Sequence, residues 1–208
     1  MAEAPQRRIV VGGLAAAIAA IVLAVVNVEG GFVDNPHDPG GATNHGITEE
    51  TARRHGYDGP MREMPVEAAI AIYGESYVSA PGFDRIVLRS LALGEEVVDQ
   101  GVNFGPHRPS CWFQRSLNAL NRGQRDYLDV TVDCRVGPAT IAAYRGLERK
   151  RGRVKACELV LKAMEAQQGV EYLRLVDVNP RLETFAPGWI DHRLGNVSPG
   201  RCVEGGVE

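Results

Sequence analysis

Two carboxylic acids, Glu29 and Asp38, stand close together in the chain in unlike surroundings. Cleaving a glycosidic bond needs such a pair. One group donates a proton to the leaving oxygen, and the other stabilises the sugar cation or activates water. Glu29 follows an apolar run and has Val26, Val28 and Phe32 beside it in sequence. Apolar surroundings favour the neutral carboxyl and raise its pKa, which a general acid requires. Asp38 lies in GGFVDNPHDPGGATNHGIT, residues 30–48, a stretch dense in Gly, Pro, Asp and Asn. Such turn formers exclude a regular helix, and solvent with loop N–H groups would keep Asp38 ionised. A metal cluster of His37, Asp38 and His45 matches no known ligand spacing, so the site is read with no metal and no cofactor.

The elements that must carry this pair are mostly helical. Thr48 followed by Glu49 and Glu50 predicts a helix start with acidic residues in its first turn, stopping near Gly56. Pro65 and Glu67 open an apolar-periodic stretch to about Val78, broken by Ala80-Pro81-Gly82. Helical spacing returns over Leu88 to Phe104 and Cys111 to Leu120. LDVTVDCRVGPAT predicts a small hairpin or a loop, and the clearest helix runs from Arg153 to Leu175. Trp112 and Trp189 are expected in the core and not as sugar platforms.

Residues 9–26, IVVGGLAAAIAAIVLAVV, hold no polar or charged side chain. As a helix the run spans roughly 27 Å, close to the ~30 Å hydrocarbon core of a bilayer. Arg7 and Arg8 precede it, so the positive-inside rule places the N-terminus in the cytoplasm and the rest outside. A cleaved signal peptide and a buried core helix compete with this reading. The run is long for the first, and no small-x-small site lies between Val22 and Glu29. Its strong apolar residues favour insertion by only roughly 3–6 kcal/mol, and Ala and Gly add little. A weakly inserting anchor follows, able to live in water if packed on protein.

The 208 residues carry a net charge of −3, which gives no sign of a nucleic-acid partner. Cys111, Cys134, Cys157 and Cys202 would meet an oxidising compartment after export and could form two disulfides. Four cysteines allow three pairings, and sequence does not choose among them. Buried free thiols are the other reading.

EGGFVDNPHDPGGATNHGIT, residues 29–48, resembles the signature of glycoside hydrolase family 108. The residues in common are Glu29, Gly30, Gly31, Phe32, Pro36, Asp38, Gly40, Gly41, Thr43, Gly46, Ile47 and Thr48, and YxxxPxFD from Tyr77 to Asp84 extends the likeness. The resemblance implies an N-acetylmuramidase of lysozyme-like fold with Glu29 as catalytic acid. The spacing of Glu29, Asp38 and Thr43 is also similar to that of phage lysozymes, in which the Asp and Thr position water. His45 stands where an aromatic is common and is assigned, with Asn103, to substrate contact. VVDQGVNFGPHRPSCWFQRSLNAL, VDCRVGPATIAAY and GWIDHRL resemble the predicted peptidoglycan domain that follows such catalytic domains.

A weak anchor leading at once to the catalytic Glu resembles the signal-arrest-release endolysins of bacteriophages. The expected layout is a cytoplasmic tail (1–8), a releasable membrane segment (9–26), a lysozyme-like catalytic domain (27–94) and a helical peptidoglycan-binding subdomain (95–200). The overall expectation is a mainly α chain with an N-terminal transmembrane or releasable helix. It would be held inactive on the periplasmic face of the bacterial inner membrane until the potential collapses. It would then be freed as a soluble monomer to cut peptidoglycan in functional partnership with a holin or pinholin. The membrane segment holds no Cys, so activation is expected to be conformational. A lytic transglycosylase using Glu29 alone, a non-catalytic anchored wall-binding protein and a metallopeptidase are the rival readings.

Overall fold

A computed structural model describes residues 13–24, 31–34 and 41–207. The chain is mainly α and divides into two compact units, Met1–Ala80 and Pro81–Glu208.

The first unit opens with helix α1, residues 13–24. Its buried side chains are Ile21 and Val22, while its exposed positions are Ala15, Ala16, Ala20 and Ala24. The large apolar residues Leu14, Ile18, Ile21 and Val22 recur at helical spacing, so the outer face shows only methyl groups. Ile18 lies over Gly74, with its Cγ2 3.7 Å from where a β-carbon would stand. Of the expected membrane segment, residues 9–26, the described residues 13–24 form this helix, about 18 Å long at 1.5 Å per residue. Among the described residues no helix is long and apolar enough to cross a membrane.

A two-stranded hairpin follows, β1 (Thr43–Asn44) and β2 (Ile47–Thr48). Helix α2 (Glu49–Arg54) starts as its sequence predicts, with Thr48 Oγ1 accepting from Thr51 N at 3.3 Å. Arg53 donates to the carbonyls of Tyr57 (2.6 Å) and Gly59 (2.8 Å), folding the next turn back against α2. A 3₁₀ turn (Met61–Glu63) leads to α3 (Val66–Tyr73), which Pro65 opens and which buries Ala69, Ile72 and Tyr73. Residues Gly74–Ser79 continue it as a π-helical turn, a wider winding frequent at functional sites.

The second unit holds α4 (Asp84–Val87), α5 (Leu91–Phe104), α6 (His107–Leu120), α7 (Pro138–Arg151), α8 (Arg153–Val178) and α9 (Ala186–Arg193). Helix α8 is the central post: α5, α6, α7 and α9 pack on it, as do 3₁₀ turns at Pro180–Thr184 and Pro199–Glu204. The disulfides are Cys111–Cys134, tying α6 to the segment before α7, and Cys157–Cys202, tying α8 to the last 3₁₀ turn. Residues 128–137 form a loop without strands. Buried Gln114 organises it, donating to Asp133 Oδ1 (2.7 Å) and the Arg135 carbonyl (2.9 Å) and accepting from Cys134 N (2.8 Å). Trp112 is buried as expected. Trp189 is half-buried, in a stack with Tyr172 and Phe185.

A polar chain crosses this core. Gln100 donates to Glu96 Oε1 (2.6 Å) and Gln168 Oε1 (3.1 Å), and Gln168 donates to Tyr172 Oη (3.1 Å). Glu96 is 1% exposed. Burial, reinforced by Glu165 and Asp99, pushes its pKa well above the ordinary 4.5. Between that value and the raised one, the native chain keeps a proton that the unfolded chain has released. Stability therefore falls as pH rises through this window. Glu96→Gln removes the titrating group and keeps an acceptor for Gln100. Its melting temperature should exceed the wild-type value at about pH 8, by about 2–4 °C for each kcal/mol relieved, and match it near pH 4. Thermal melts at the two pH values check this.

Candidate active site

The described signature residues Thr43, Gly46, Ile47 and Thr48 lie in the hairpin of the first unit. Its loop has two residues, with Thr43 opposite Thr48 and Asn44 opposite Ile47. His45 (φ 52°) and Gly46 (φ 75°) both take the left-handed conformation, as a tight hairpin twisting with its strands demands. The Asn-His-Gly-Ile run thus has a backbone reason, since glycine adopts that φ without steric cost.

Two further contacts fix the hairpin. Asn44, 5% exposed, donates from Nδ2 to the Met61 carbonyl at 2.7 Å. His45 Nε2 lies 3.3 Å from the Met64 carbonyl, which can only accept, so the bond needs the proton on Nε2. On the other side, Val33 and Thr43 form an antiparallel bridge, each N–H donating to the other's carbonyl at 2.7 Å. The bridge draws the segment just after the EGG triplet onto β1. Phe32, at its start, lies under the Arg62 guanidinium, 4.3 Å from ring centroid to Cζ.

Beside the hairpin opens a cleft of about 330 Å³. Gly46, Ile47 and Thr48 form one wall, and Ile72, Tyr73, Ser76 and Tyr77 of α3 and the π turn form the other. Thr51 and Arg54 of α2, with His55 just after it, complete the lining. The Tyr73 and Tyr77 rings stack with centroids 5.4 Å apart, and Ser76 Oγ lies 3.2 Å from His55 Nε2. This volume falls in the range of small-ligand sites, and the lining mixes apolar and polar side chains.

Thr43 and His45 therefore share the hairpin, Thr43 within the bridge and His45 in the turn. Glu29, Asp38 and His37 lie outside the described residues. Asn103 lies in the second unit, exposed near the end of α5, where it donates to the Asp99 carbonyl at 2.8 Å. Asp99 is held by Arg193 Nη1 at 2.6 Å, yet burial outweighs that partner and raises its pKa. Sequence reading missed Arg54, His55 and Ser76. Only their spacing on the helix faces turned toward the hairpin signals them. Tyr77 was legible as the first residue of YxxxPxFD.

Residues 22–105 match the model of the Glycosyl hydrolase 108 family. Residues 108–194 match the Predicted Peptidoglycan domain. The chain is also similar to the solved structure of Brucella abortus SagA. The two share 25% identity over 90% of this chain and 94% of that one, with a TM-score of 0.57. No curated protein matches it in sequence. The two family matches support a glycoside hydrolase acting on peptidoglycan, with peptidoglycan as its partner.

The hairpin anchor yields a direct test. Asn44→Ala removes the donor to the buried Met61 carbonyl and should cost about 1–3 kcal/mol. A lowered melting temperature together with a lowered rate of wall lysis is expected. An unchanged melt would show that the anchor does not hold the hairpin.

Proposed function

We propose that the chain is a muramidase that hydrolyses the β-1,4 bond between N-acetylmuramic acid and N-acetylglucosamine, with Glu29 as general acid. The Val33–Thr43 bridge carries the reading. Glu29 precedes Val33 by four residues, and Asp38 falls within the segment that the bridge closes. Both carboxylates are thus tethered to one hairpin, and Thr43 is part of the tether. In this reading Glu29 protonates the glycosidic oxygen, while Asp38 and Thr43 orient the water that attacks the sugar. His45 and Asn103 contact substrate. The cleft lined by Tyr77, His55 and Ser76 suits an uncharged glycan, which presents hydroxyls to polar rims and ring faces to aromatics.

Glu29→Gln keeps size and hydrogen bonding while removing the acid. Lysis of purified peptidoglycan should fall by about 10²–10⁴-fold with an unchanged melt. Asp38→Asn and Thr43→Ala should lose activity by smaller factors. Full activity in Glu29→Gln would overturn the assignment.

Residues 9–26 serve, in the same proposal, as a releasable membrane segment that holds the enzyme on the periplasmic face of the inner membrane. Helix α1 supports the released half of that cycle. It buries Ile21 and Val22 and shows water only alanines among its exposed positions. A segment of this composition inserts weakly and survives in water once packed, so collapse of the membrane potential, as a holin or pinholin would cause, shifts it from lipid to protein. Fractionation before and after an uncoupler tests this. The enzyme should move from membrane to periplasm, and retention in the membrane while the potential is gone would refute release.

A further inference from the structure

The second unit carries a groove that the glycan-cleaving chemistry does not use. Its floor is apolar, formed by Leu88 after α4 and by Pro138, Ile141 and Ala142 on α7. Its rim carries Arg85, Arg89, Arg145 and Arg149. The groove encloses about 480 Å³. A neighbouring cleft of about 280 Å³ shares three of those arginines and adds Arg153 and Glu148.

The placement follows from α7. Positions 138, 141, 142, 145 and 149 recur at three- and four-residue steps and so lie along one helix face. The face begins apolar and ends with two exposed guanidinium groups about one turn apart. The opposite rim is fastened to α7 by the ion pair of Arg89 Nη2 with Glu148 Oε2, at 2.7 Å and largely buried. Arg153 Nη2 donates to the Arg89 carbonyl at 3.2 Å. Five arginines and the Glu148 carboxylate line the two clefts, on a chain whose net charge is −3. A local positive field of this kind selects an anion.

We propose that this groove binds the peptide stem of peptidoglycan through its free carboxylates. The inference rests on the reading of the chain as a peptidoglycan hydrolase and assigns the second unit a ligand chemistry and a place. The stem is a short peptide bearing alanine methyl groups and several carboxylates. Arginines take carboxylates in two-pronged hydrogen bonds, and the small apolar floor accommodates methyl groups. The glycan strand itself offers few charges for five arginines. A single-stranded nucleic acid would call for aromatic stacking surfaces, and the groove lining has none. Binding the stem here would hold the enzyme on its polymer while the first unit engages glycan.

The test uses the full chain carrying Glu29→Gln, so that nothing is cut, and the same chain with Arg145→Ala and Arg149→Ala. Calorimetry is run with the free tetrapeptide stem, the same peptide with its carboxylates amidated, peptide-free glycan strands, and anionic phospholipid vesicles. The stem should bind the parent chain at least tenfold more tightly than the double variant, and amidation should cause a similar loss. Arg145→Lys with Arg149→Lys should restore part of the affinity, and glycan binding should stay unchanged. Equal stem binding by parent and variant, no stem binding by the parent, or a loss confined to vesicles would overturn the proposal. Thermal melts of each variant separate misfolding from lost binding. Cleavage of peptide-free glycan strands by the chain with native Glu29 depends on neither arginine. A chain that binds stems but leaves strands intact refutes the hydrolase reading, whereas one that cleaves strands without binding stems refutes the groove.

Discussion

Two backbone hydrogen bonds between Val33 and Thr43 set the geometry on which the first unit depends. Glycine-rich chain has little side-chain packing to fix its path, so a signature such as EGGFVDNPHDPGGATNHGIT needs an external clamp. The bridge supplies one, and the hairpin supplies something rigid to clamp to. The hairpin in turn is held by Asn44 reaching Met61 and by the left-handed pair His45-Gly46. Thr48 ends the hairpin and caps α2 in the same residue, so site geometry and helix start are fixed together.

The second unit obtains its order differently. Its core is built round α8 and is closed by two covalent ties, Cys111–Cys134 and Cys157–Cys202. In place of a wholly apolar interior it keeps Glu96, Gln100 and Gln168 in a connected chain, with Glu96 bearing a raised pKa. The chain is only partly satisfied, since Glu96 Oε2 and Gln100 Oε1 are buried without a hydrogen-bond partner among the described residues, and burial of this kind is costly for an ionised carboxylate. The arginine-lined groove lies on the outside of this frame, on α7 and the end of α4.

Much of this could be read from residue types. Thr48 and Pro65 mark the starts of α2 and α3, and α8 follows its apolar spacing to within three residues of its end. The described parts of the signature stretch, residues 31–34 and 41–48, are non-helical as read, because glycine, proline and asparagine dictate backbone shape locally. Helix α7 was missed. Its interior Gly146 reads as a breaker, yet a β-carbon there would come 2.8 Å from Tyr127 Cβ, so the glycine serves close approach within an intact helix. Helix α9 was missed because Pro187-Gly188 suggests a turn, whereas proline is tolerated in a first helical turn. The disulfide pairing depends on which helices meet, which spacing along the chain does not encode. The apolar run was read as a bilayer span from length and composition. What decides its folded state is the pairing of large residues on one face with alanines on the other, visible at Ile21, Val22 and Ala20.

The central claim is that Glu29 directs hydrolysis of a glycosidic bond by water. Mass analysis of peptidoglycan digested in ¹⁸O-labelled water tests it most directly. Hydrolysis leaves reducing N-acetylmuramic acid ends carrying one labelled oxygen, produced by the wild type and not by the Glu29→Gln chain. Anhydro-muramic ends without label would contradict the account and make the chain a transglycosylase.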